Sequence, residues 1–243
     1  MQRVINFSGG KTSAFMTIQE YKEGDLVIFC DTGREHPKTY KFINDFEAHE
    51  NIPIIRLKYK NSDDPFDQLL KDRDYKRIPY RMNRFCTDEL KIKTARRYLV
   101  SLGIKKYINK IGFRFDEELR VKRHIEKIKS VKTVFPLYES KIDKQQINDF
   151  WSKKPYNLEI PSILGNCTLC FMKGKNAIMA ILREYPELAI PWINDEENAK
   201  KHFGHQYIKG ISIKQLSEIA QNNLFKDYNL NEIKPAFDCA CTS

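Results

Sequence analysis

The chain has 243 residues, of which 41% are hydrophobic and 30% charged, and its formal net charge is +10. The length fits one large α/β domain, or one domain with a small appendage, and the even spread of charge excludes a disordered tail. No apolar run reaches the roughly 20 residues that a membrane span needs, and the N-terminus is too short for a signal peptide. We therefore expect a cytoplasmic protein without a membrane partner.

The positive charge is not confined to one tail. It indicates either solubility or attraction to a polyanion such as RNA or DNA. Basic residues cluster in sequence at Lys91, Lys93, Arg96 and Arg97, at Lys105, Lys106 and Lys110, and at Arg120, Lys122, Arg123, Lys127 and Lys129.

The first half of the chain alternates apolar runs typical of strands with stretches of helical periodicity. Strands separated by helices of this length predict a parallel twisted sheet with helices on both faces, and hence an α/β fold. The predicted strands are 3–7, 25–30, 52–59, 107–113 and a short 133–137, and the predicted helices between them are 13–21 and 38–50.

The pattern changes near residue 140, where the strand signals stop. Three helices are predicted beyond this point, at 144–151, 175–185 and 213–222. We therefore expect an α/β domain at 1–140, followed by a helical extension at 141–243.

A loop rich in glycine and hydroxyl groups follows the first strand. Glycines let backbone N–H groups approach an anion, the start of the next helix adds partial positive charge, and a lysine adds a full charge. The spacing differs from that of the P-loop in kinases and GTPases. The loop is predicted to bind phosphate rather than only to cap a helix; it comprises Ser8, Gly9, Gly10, Lys11, Thr12 and Ser13.

This loop resembles the SGGKDS loop of the PP-loop ATP pyrophosphatases, with Thr12 in place of the common Asp. Three further segments resemble motifs of the phosphoadenosine phosphosulfate (PAPS) reductase branch of that superfamily. They occur in family order and are Asp31-Thr32-Gly33-Arg34-Glu35-His36-Pro37, Arg84-Phe85-Cys86-Thr87-Asp88-Glu89-Leu90-Lys91, and Gly112-Phe113-Arg114-Phe115-Asp116-Glu117-Glu118-Leu119-Arg120. The resemblance implies an adenine nucleotide alpha hydrolase-like fold and a site for ATP or PAPS.

The motifs also fall where ligands bind in open α/β sheets, beyond the carboxyl ends of strands. Asp31 is expected to bind Mg²⁺ or orient a hydroxyl, with capping of the next turn as the alternative. Arg114 and Arg120 are expected to contact phosphate or sulfate oxygens. The predicted catalytic groups are Lys11, Asp31 and Arg114, and the other nucleotide contacts include Thr32, Gly33, Gly112, Glu117 and Arg120.

Four of the six cysteines form two close pairs, Cys167-x-x-Cys170 and Cys239-x-Cys241. Thiolates in this spacing are typical ligands of Zn²⁺ or an iron–sulfur cluster, although buried structural cysteines are an alternative. The family resemblance adds Cys86, because cluster-containing reductases of this branch use a cysteine in that motif. It implies a [4Fe–4S] cluster held by four of these five residues, with structural Zn²⁺ as the alternative.

A basic segment with interleaved aromatic residues precedes Cys86. This mixture suits a loop that binds nucleic acid or nucleotide, or else a basic loop that covers the site. Its aromatic residues are Tyr75, Tyr80 and Phe85, and its basic residues are Arg73, Lys76, Arg77, Arg81 and Arg84.

Three functions follow from these observations. The first is an enzyme that uses ATP to adenylate a substrate for sulfur transfer or nucleic-acid modification, with tRNA or DNA as acceptor and a sulfur-donor protein as a further partner. The second is a PAPS or adenosine phosphosulfate reductase that releases sulfite, in which a tail thiol or the cluster takes part. The third is a non-catalytic nucleic-acid-binding protein that senses nucleotide. The sequence does not define the oligomeric state.

Overall fold

The computed structural model describes residues 1–127, 131–202, 204–222 and 229–236. Five parallel strands form one sheet in the order β3-β2-β1-β4-β5. The central strand β1 pairs with β2 on one side and β4 on the other. The strands are β1 (Gln2–Asn6), β2 (Leu26–Asp31), β3 (Ile55–Lys58), β4 (Tyr107–Lys110) and β5 (Lys132–Val134).

Alternating side chains of the central strands reach opposite faces of the sheet, as the two-residue repeat of a strand requires. Ile5 of β1 and Phe29 of β2 pack in one core with Phe42, whereas Val4 and Ile28 pack on the other face with Leu99. Both faces are therefore covered, which explains why these strands are apolar throughout.

The first half of the chain contains six α-helices, and a π-helical turn at Asp88–Lys93 joins two of them. Pro37 and Pro65 occupy the first turns of their helices, where a missing N–H costs no hydrogen bond. The helices are α1 (Lys11–Glu20), α2 (Pro37–Glu50), α3 (Pro65–Lys71), α4 (Phe85–Thr87), α5 (Thr94–Ser101) and α6 (Glu118–Lys127).

The second half is helical, and within the described ranges no strand follows β5. Trp151 is fully buried in the same core as Ile5 of the central strand. Further helices share a second large core with Phe66 of α3 and Leu90 of the π-helical turn. The helices are α7 (Pro136–Glu139), α8 (Lys144–Ser152), α9 (Lys175–Glu184), α10 (Ile190–Lys200) and α11 (Ile213–Gln221).

The structure confirms the predicted α/β fold with a parallel sheet and helices on both faces. The five strands occur where they were expected, but β3 and β4 are four residues each rather than eight and seven, and β5 is three rather than five. The sequence patterns did not predict α3 to α7 or α10, although α3 carries a helical repeat of apolar residues at Phe66, Leu69 and Leu70. In the part of the chain that the structure describes, no helix is long and apolar enough to cross a membrane.

Candidate nucleotide site

The predicted phosphate loop joins β1 to α1 through a backbone that only glycine adopts readily. Gly9 has a φ of +77°, and a Cβ placed there would lie 2.8 Å from Cγ2 of Thr39 on α2. A side chain would therefore meet both backbone strain and a steric clash. The requirement for glycine at this position follows from the fold as well as from any ligand.

Two serine hydroxyls hold the loop closed. The Ser13 hydroxyl donates to the Gly10 carbonyl at 3.0 Å, and Ser13 Oγ accepts from the Ser8 backbone N–H at 3.0 Å. Because the single Ser13 proton is already donated, the 2.9 Å contact between the two hydroxyls has Ser8 as donor. Both side chains, predicted as phosphate ligands, thus have partners within the loop.

The N-terminus of α1 is open to an anion. Gly10 precedes the helix and provides no side-chain cap, and among the described residues no side chain accepts a hydrogen bond from the amides of its first turn. These amides and the helix dipole favour a negatively charged ligand. Lys11 is the first helical residue, its pKa is lowered by partial burial, and its carbonyl accepts from Trp151 Nε1 at 2.9 Å. Helix α8 therefore fixes the position of this turn.

Asp31 is the last residue of β2 and is buried beside this loop at the same edge of the sheet. Its Oδ1 accepts from the Gly33 N–H and from the Tyr40 hydroxyl, each at 2.8 Å. Its Oδ2 has no hydrogen bond among the described residues. A buried carboxylate with one oxygen fixed and the other available is a suitable donor for Mg²⁺.

Glu35 forms a second buried carboxylate next to Asp31, and the sequence analysis did not assign it a role. The Thr32 hydroxyl lies 2.9 Å from both carboxylate oxygens, and the Tyr40 hydroxyl lies 3.4 Å from one. Burial raises the pKa of Glu35, and the charge of Lys91 opposes that shift. Its place in the family motif at 31–37 was the available signal. The hydroxyl of Thr32, which is predicted to contact nucleotide, donates to this carboxylate.

Gly33, also predicted to contact nucleotide, has a structural reason to be glycine. Its φ is +74°, and a Cβ there would lie 2.9 Å from Cδ of Pro65. The turn after β2 is thus packed directly against the start of α3.

The segment after β4 brings its arginine to the phosphate loop. A Cβ on Gly112 would lie 3.5 Å from the Ser13 Cα, so the backbone runs close to α1. Arg114 is held by two contacts to Asp116, at 2.8 and 3.0 Å, and its Nη1 lies 3.5 Å from Thr12 Oγ1. Gly112, Arg114 and the phosphate loop therefore form one site.

Glu117 and Arg120 lie behind Arg114. Glu117 accepts from the Arg114 backbone N–H at 3.0 Å and forms ion pairs with both arginines. The Arg120 guanidinium also lies 4.4 Å from the centre of the Phe113 ring. These contacts orient Arg114. The guanidinium of Arg120 is itself held by Glu117 and by the Phe113 ring.

Three of the predicted metal ligands line one cavity beside the turn that follows β2. Cys86, Cys167 and Cys170 line it together with Thr32 and Lys91. Thr32 Oγ1 contacts Cys167 Sγ at 3.3 Å. Among the described residues, no group of three or more His, Cys, Asp or Glu side chains is arranged to hold a metal ion. Cys239 and Cys241 lie outside the described residues.

The turn at 167–170, here called the cysteine turn, is linked to the nucleotide motif at 31–37 through main-chain and side-chain contacts. The Thr168 N–H donates to the Arg34 carbonyl at 2.8 Å. The Arg34 guanidinium is 3.1 Å from Asp195 of α10 in a buried ion pair. Asp195 also accepts from the Tyr207 hydroxyl at 2.7 Å. The sequence analysis missed this network, because its members are far apart in the chain.

These observations define an α/β protein with a candidate nucleotide site at the carboxyl edge of its sheet. Residues 2–154 match the model of the phosphoadenosine phosphosulfate reductase domain family. The chain belongs to this family. Membership supports a nucleotide-binding enzyme of the PP-loop superfamily.

The chain also resembles curated proteins whose names give no activity. It is 30% identical over 207 residues to an uncharacterized nin region protein of Escherichia phage lambda, covering 73% of this chain and 68% of that protein. It is 28% identical to the uncharacterized protein MJ0066 of Methanocaldococcus jannaschii, covering 85% of this chain but 44% of that protein. Archaeal MJ0066 is thus a longer protein.

Among solved structures, a PAPS reductase from Candida auris in complex with phosphate resembles this chain. The TM-score is 0.41 at 16% identity, and the alignment covers 65% of this chain and 76% of the reductase.

Proposed function

We propose that the protein binds ATP with Mg²⁺ and adenylates a substrate, in preparation for sulfur transfer or nucleic-acid modification. The observation that carries this proposal is the uncapped start of α1, which follows Gly9 and Gly10 and begins with Lys11. That combination suits the pyrophosphate end of ATP, since it offers backbone donors and a positive charge together.

The chain supplies a group for each requirement of the step. An acceptor oxygen would attack the α-phosphorus of ATP and form a phosphorus–oxygen bond, and pyrophosphate would leave with the electron pair of the broken bond. Lys11 and the α1 amides would stabilise the departing charge. Arg114, oriented by Asp116 and Glu117, would contact phosphate oxygens. A sulfur nucleophile would then displace AMP.

Mg²⁺ is part of the proposal, and Asp31 Oδ2 would be its protein ligand. The Tyr40 and Gly33 bonds to Oδ1 would fix the carboxylate in place. When bound, the ion would neutralise part of the negative charge of the ATP phosphates.

The test is to incubate the protein with ATP, Mg²⁺, sulfide and unfractionated tRNA, and to separate the nucleotides by chromatography. The expected products are AMP and pyrophosphate in equal amounts, and Lys11→Ala should abolish both. Formation of ADP and phosphate, or unchanged ATP, would contradict adenylation.

A second candidate is a PAPS reductase, which the cysteines beside the nucleotide motif favour. Three thiols share one cavity with Thr32 of that motif. Incubation with PAPS and dithiothreitol would release sulfite if this candidate is correct. Unchanged ATP recovered from a tight complex would instead favour the third possibility, a nucleotide sensor.

The proposal includes a thiolate-held metal group, a [4Fe–4S] cluster or alternatively Zn²⁺. For the cluster, Cys86, Cys167 and Cys170 would supply three ligands, with Cys239 or Cys241 as the fourth. For Zn²⁺ the ligands would be Cys167, Cys170, Cys239 and Cys241, and Cys86 would remain outside the site. The donor chemistry fits either group, although the described side chains do not form a metal-binding arrangement on their own. The cluster would hold the cysteine turn and Cys86 together.

Anaerobic purification with an absorption spectrum and metal analysis tests this group. We expect iron and broad absorbance near ~400 nm, lost in Cys86→Ser. Cys30→Ser is the matched control, since Cys30 lies outside the cavity and burial raises its pKa to about 11. Metal-free, colourless protein would contradict both versions, and one zinc per chain would contradict the cluster.

A further inference from the structure

The segment before Cys86 presents a narrow basic turn. Tyr80 and Asn83 exchange two backbone hydrogen bonds, at 3.2 and 2.9 Å, which leaves Arg81 and Met82 at the tip. The Met82 side chain is 80% exposed and that of Tyr80 is 42% exposed. An exposed aromatic ring and an exposed thioether beside an arginine are suited to stacking with an unpaired base.

The turn has a fixed base. Ile78 is 1% exposed and belongs to the core cluster that contains Leu90 and Trp192. The exposed side chains therefore project from a packed anchor, and little ordering is needed before they bind a partner.

Basic residues outnumber acidic ones in the segment that carries this turn. Residues 73–84 contain five basic side chains and one acid, Asp74. Lys76 pairs with Asp74 at 2.9 Å, and Arg73 pairs with Glu89 at 3.4 Å. Among the described residues, Arg77 forms no ion pair and is exposed.

The position of the turn links it to the candidate site. Arg84 is the residue before α4, and Cys86 and Thr87 of α4 line the cysteine cavity. A strand bound along the turn would thus be directed towards the cavity and the nucleotide motif beside it.

We propose that the turn at 77–84 binds an unpaired RNA loop. A two-residue tip is neither a helix nor a two-stranded ribbon, the elements that enter the major groove of duplex DNA. Unpaired bases that can stack on a tyrosine are instead typical of RNA loops, whereas cellular DNA is mostly paired. This inference rests on the proposed function, in which a nucleic acid is the acceptor, and it names the part of that acceptor that the protein contacts.

The test is fluorescence anisotropy with a labelled RNA hairpin, titrated without ATP. Arg77→Glu/Arg81→Glu should weaken binding by at least about tenfold and lower the slope of log affinity against log salt by about 2. The matched control is Lys105→Glu/Lys106→Glu, which changes the charge equally at exposed positions before β4, at the opposite edge of the sheet. The control should retain the wild-type slope.

Several outcomes would overturn the proposal. Equal losses in both variants would show general charge attraction, and displacement of RNA by polyglutamate at equal charge would show the same. A blunt RNA duplex or a single-stranded DNA of the loop sequence that binds as tightly as the hairpin would overturn the choice of an RNA loop. If the double variant does not fold, Tyr80→Ala provides the test. It should also weaken binding of the RNA hairpin, without changing the slope of log affinity against log salt.

Failure of this inference is distinguishable from failure of adenylation. ATP binding is measured by calorimetry on the same wild-type and variant samples. RNA binding without ATP binding would contradict the proposed adenylation and support the RNA site. ATP turnover together with unchanged RNA binding in the turn variants would support adenylation and contradict the RNA site.

Discussion

Gly9 shows how one residue joins the fold to the candidate chemistry. Its positive φ lets the chain turn from β1 into α1, and the absence of a side chain leaves room for Thr39 of α2. The same turn points the first amides of α1 towards the place where a phosphate would bind.

We expect Gly9→Ala to weaken ATP binding and to destabilise the protein. Alanine at positive φ costs about 1–3 kcal/mol, and its Cβ would also displace Thr39. Calorimetry with ATP and thermal unfolding measure the two effects.

Gly24→Ala is the matched control for backbone strain. Gly24 also has a positive φ, +86°, but a Cβ there would meet nothing within 4 Å. It should lose stability and keep ATP affinity. Equal ATP affinity in the Gly9 variant would show that the loop conformation does not matter for the nucleotide.

At the scale of elements, α10 anchors the turn after β2. Arg34 lies between Asp195 of this helix and the rings of Phe66 and Trp192, at 5.2 and 5.7 Å from their centres. Burial raises the pKa of Asp195 to about 6, although Arg34 and Tyr207 both act in the opposite direction. Desolvation therefore exceeds the local attraction at this carboxylate.

We predict that Arg34→Met destabilises the protein by about 3–5 kcal/mol at neutral pH, because it leaves the Asp195 charge buried without its partner. Urea unfolding measures this loss. The double variant with Asp195→Asn should recover part of it. Lys122→Met removes an exposed pair with Glu118 and should unfold like the wild type. If Arg34→Met also unfolded like the wild type, α10 would have no role in holding the turn after β2.

Glu196, the next residue of α10, predicts a pH dependence of stability. It accepts from the Tyr207 and Ile213 N–H groups at 3.0 and 2.7 Å, and burial raises its pKa from 4.5 to about 7. Between these two values the folded state holds a proton that the unfolded state has lost. The free energy of unfolding contributed by this group therefore falls as pH rises through that window.

Glu196→Gln should remove this contribution. The wild-type free energy of unfolding minus that of the variant should fall by about 2–3 kcal/mol between acid and neutral pH. Urea unfolding at a series of pH values measures it, with the exposed Glu118→Gln as control. Parallel profiles for wild type and Glu196→Gln would contradict the raised pKa.

At the scale of the whole molecule, local sequence patterns predicted the sheet and the phosphate loop. Runs such as 26–30 are apolar because both faces of the sheet are covered, and the glycine-rich loop follows β1 directly. Both signals are contained in short stretches of chain.

The features that were missed depend on contacts between distant residues. The partner of Arg34 is Asp195, which no local pattern indicates. Ser13 is predicted to contact nucleotide because its hydroxyl can donate to phosphate, and Thr32 because of the family resemblance. In the structure the Ser13 hydroxyl donates to the Gly10 carbonyl and the Thr32 hydroxyl to Glu35. A residue type indicates what a side chain can bind, and only the fold decides which partner it has.

Calorimetric titration with ATP and Mg²⁺ tests the central claim most directly, that the loop at Ser8–Ser13 holds the phosphates of an adenine nucleotide. The wild type should bind, and Lys11→Ala should bind at least about tenfold more weakly, a loss of about 1.4 kcal/mol, whereas Lys122→Ala should not change the affinity. Equal affinity of the wild type and Lys11→Ala, or no binding of ATP by the wild type, would contradict the account.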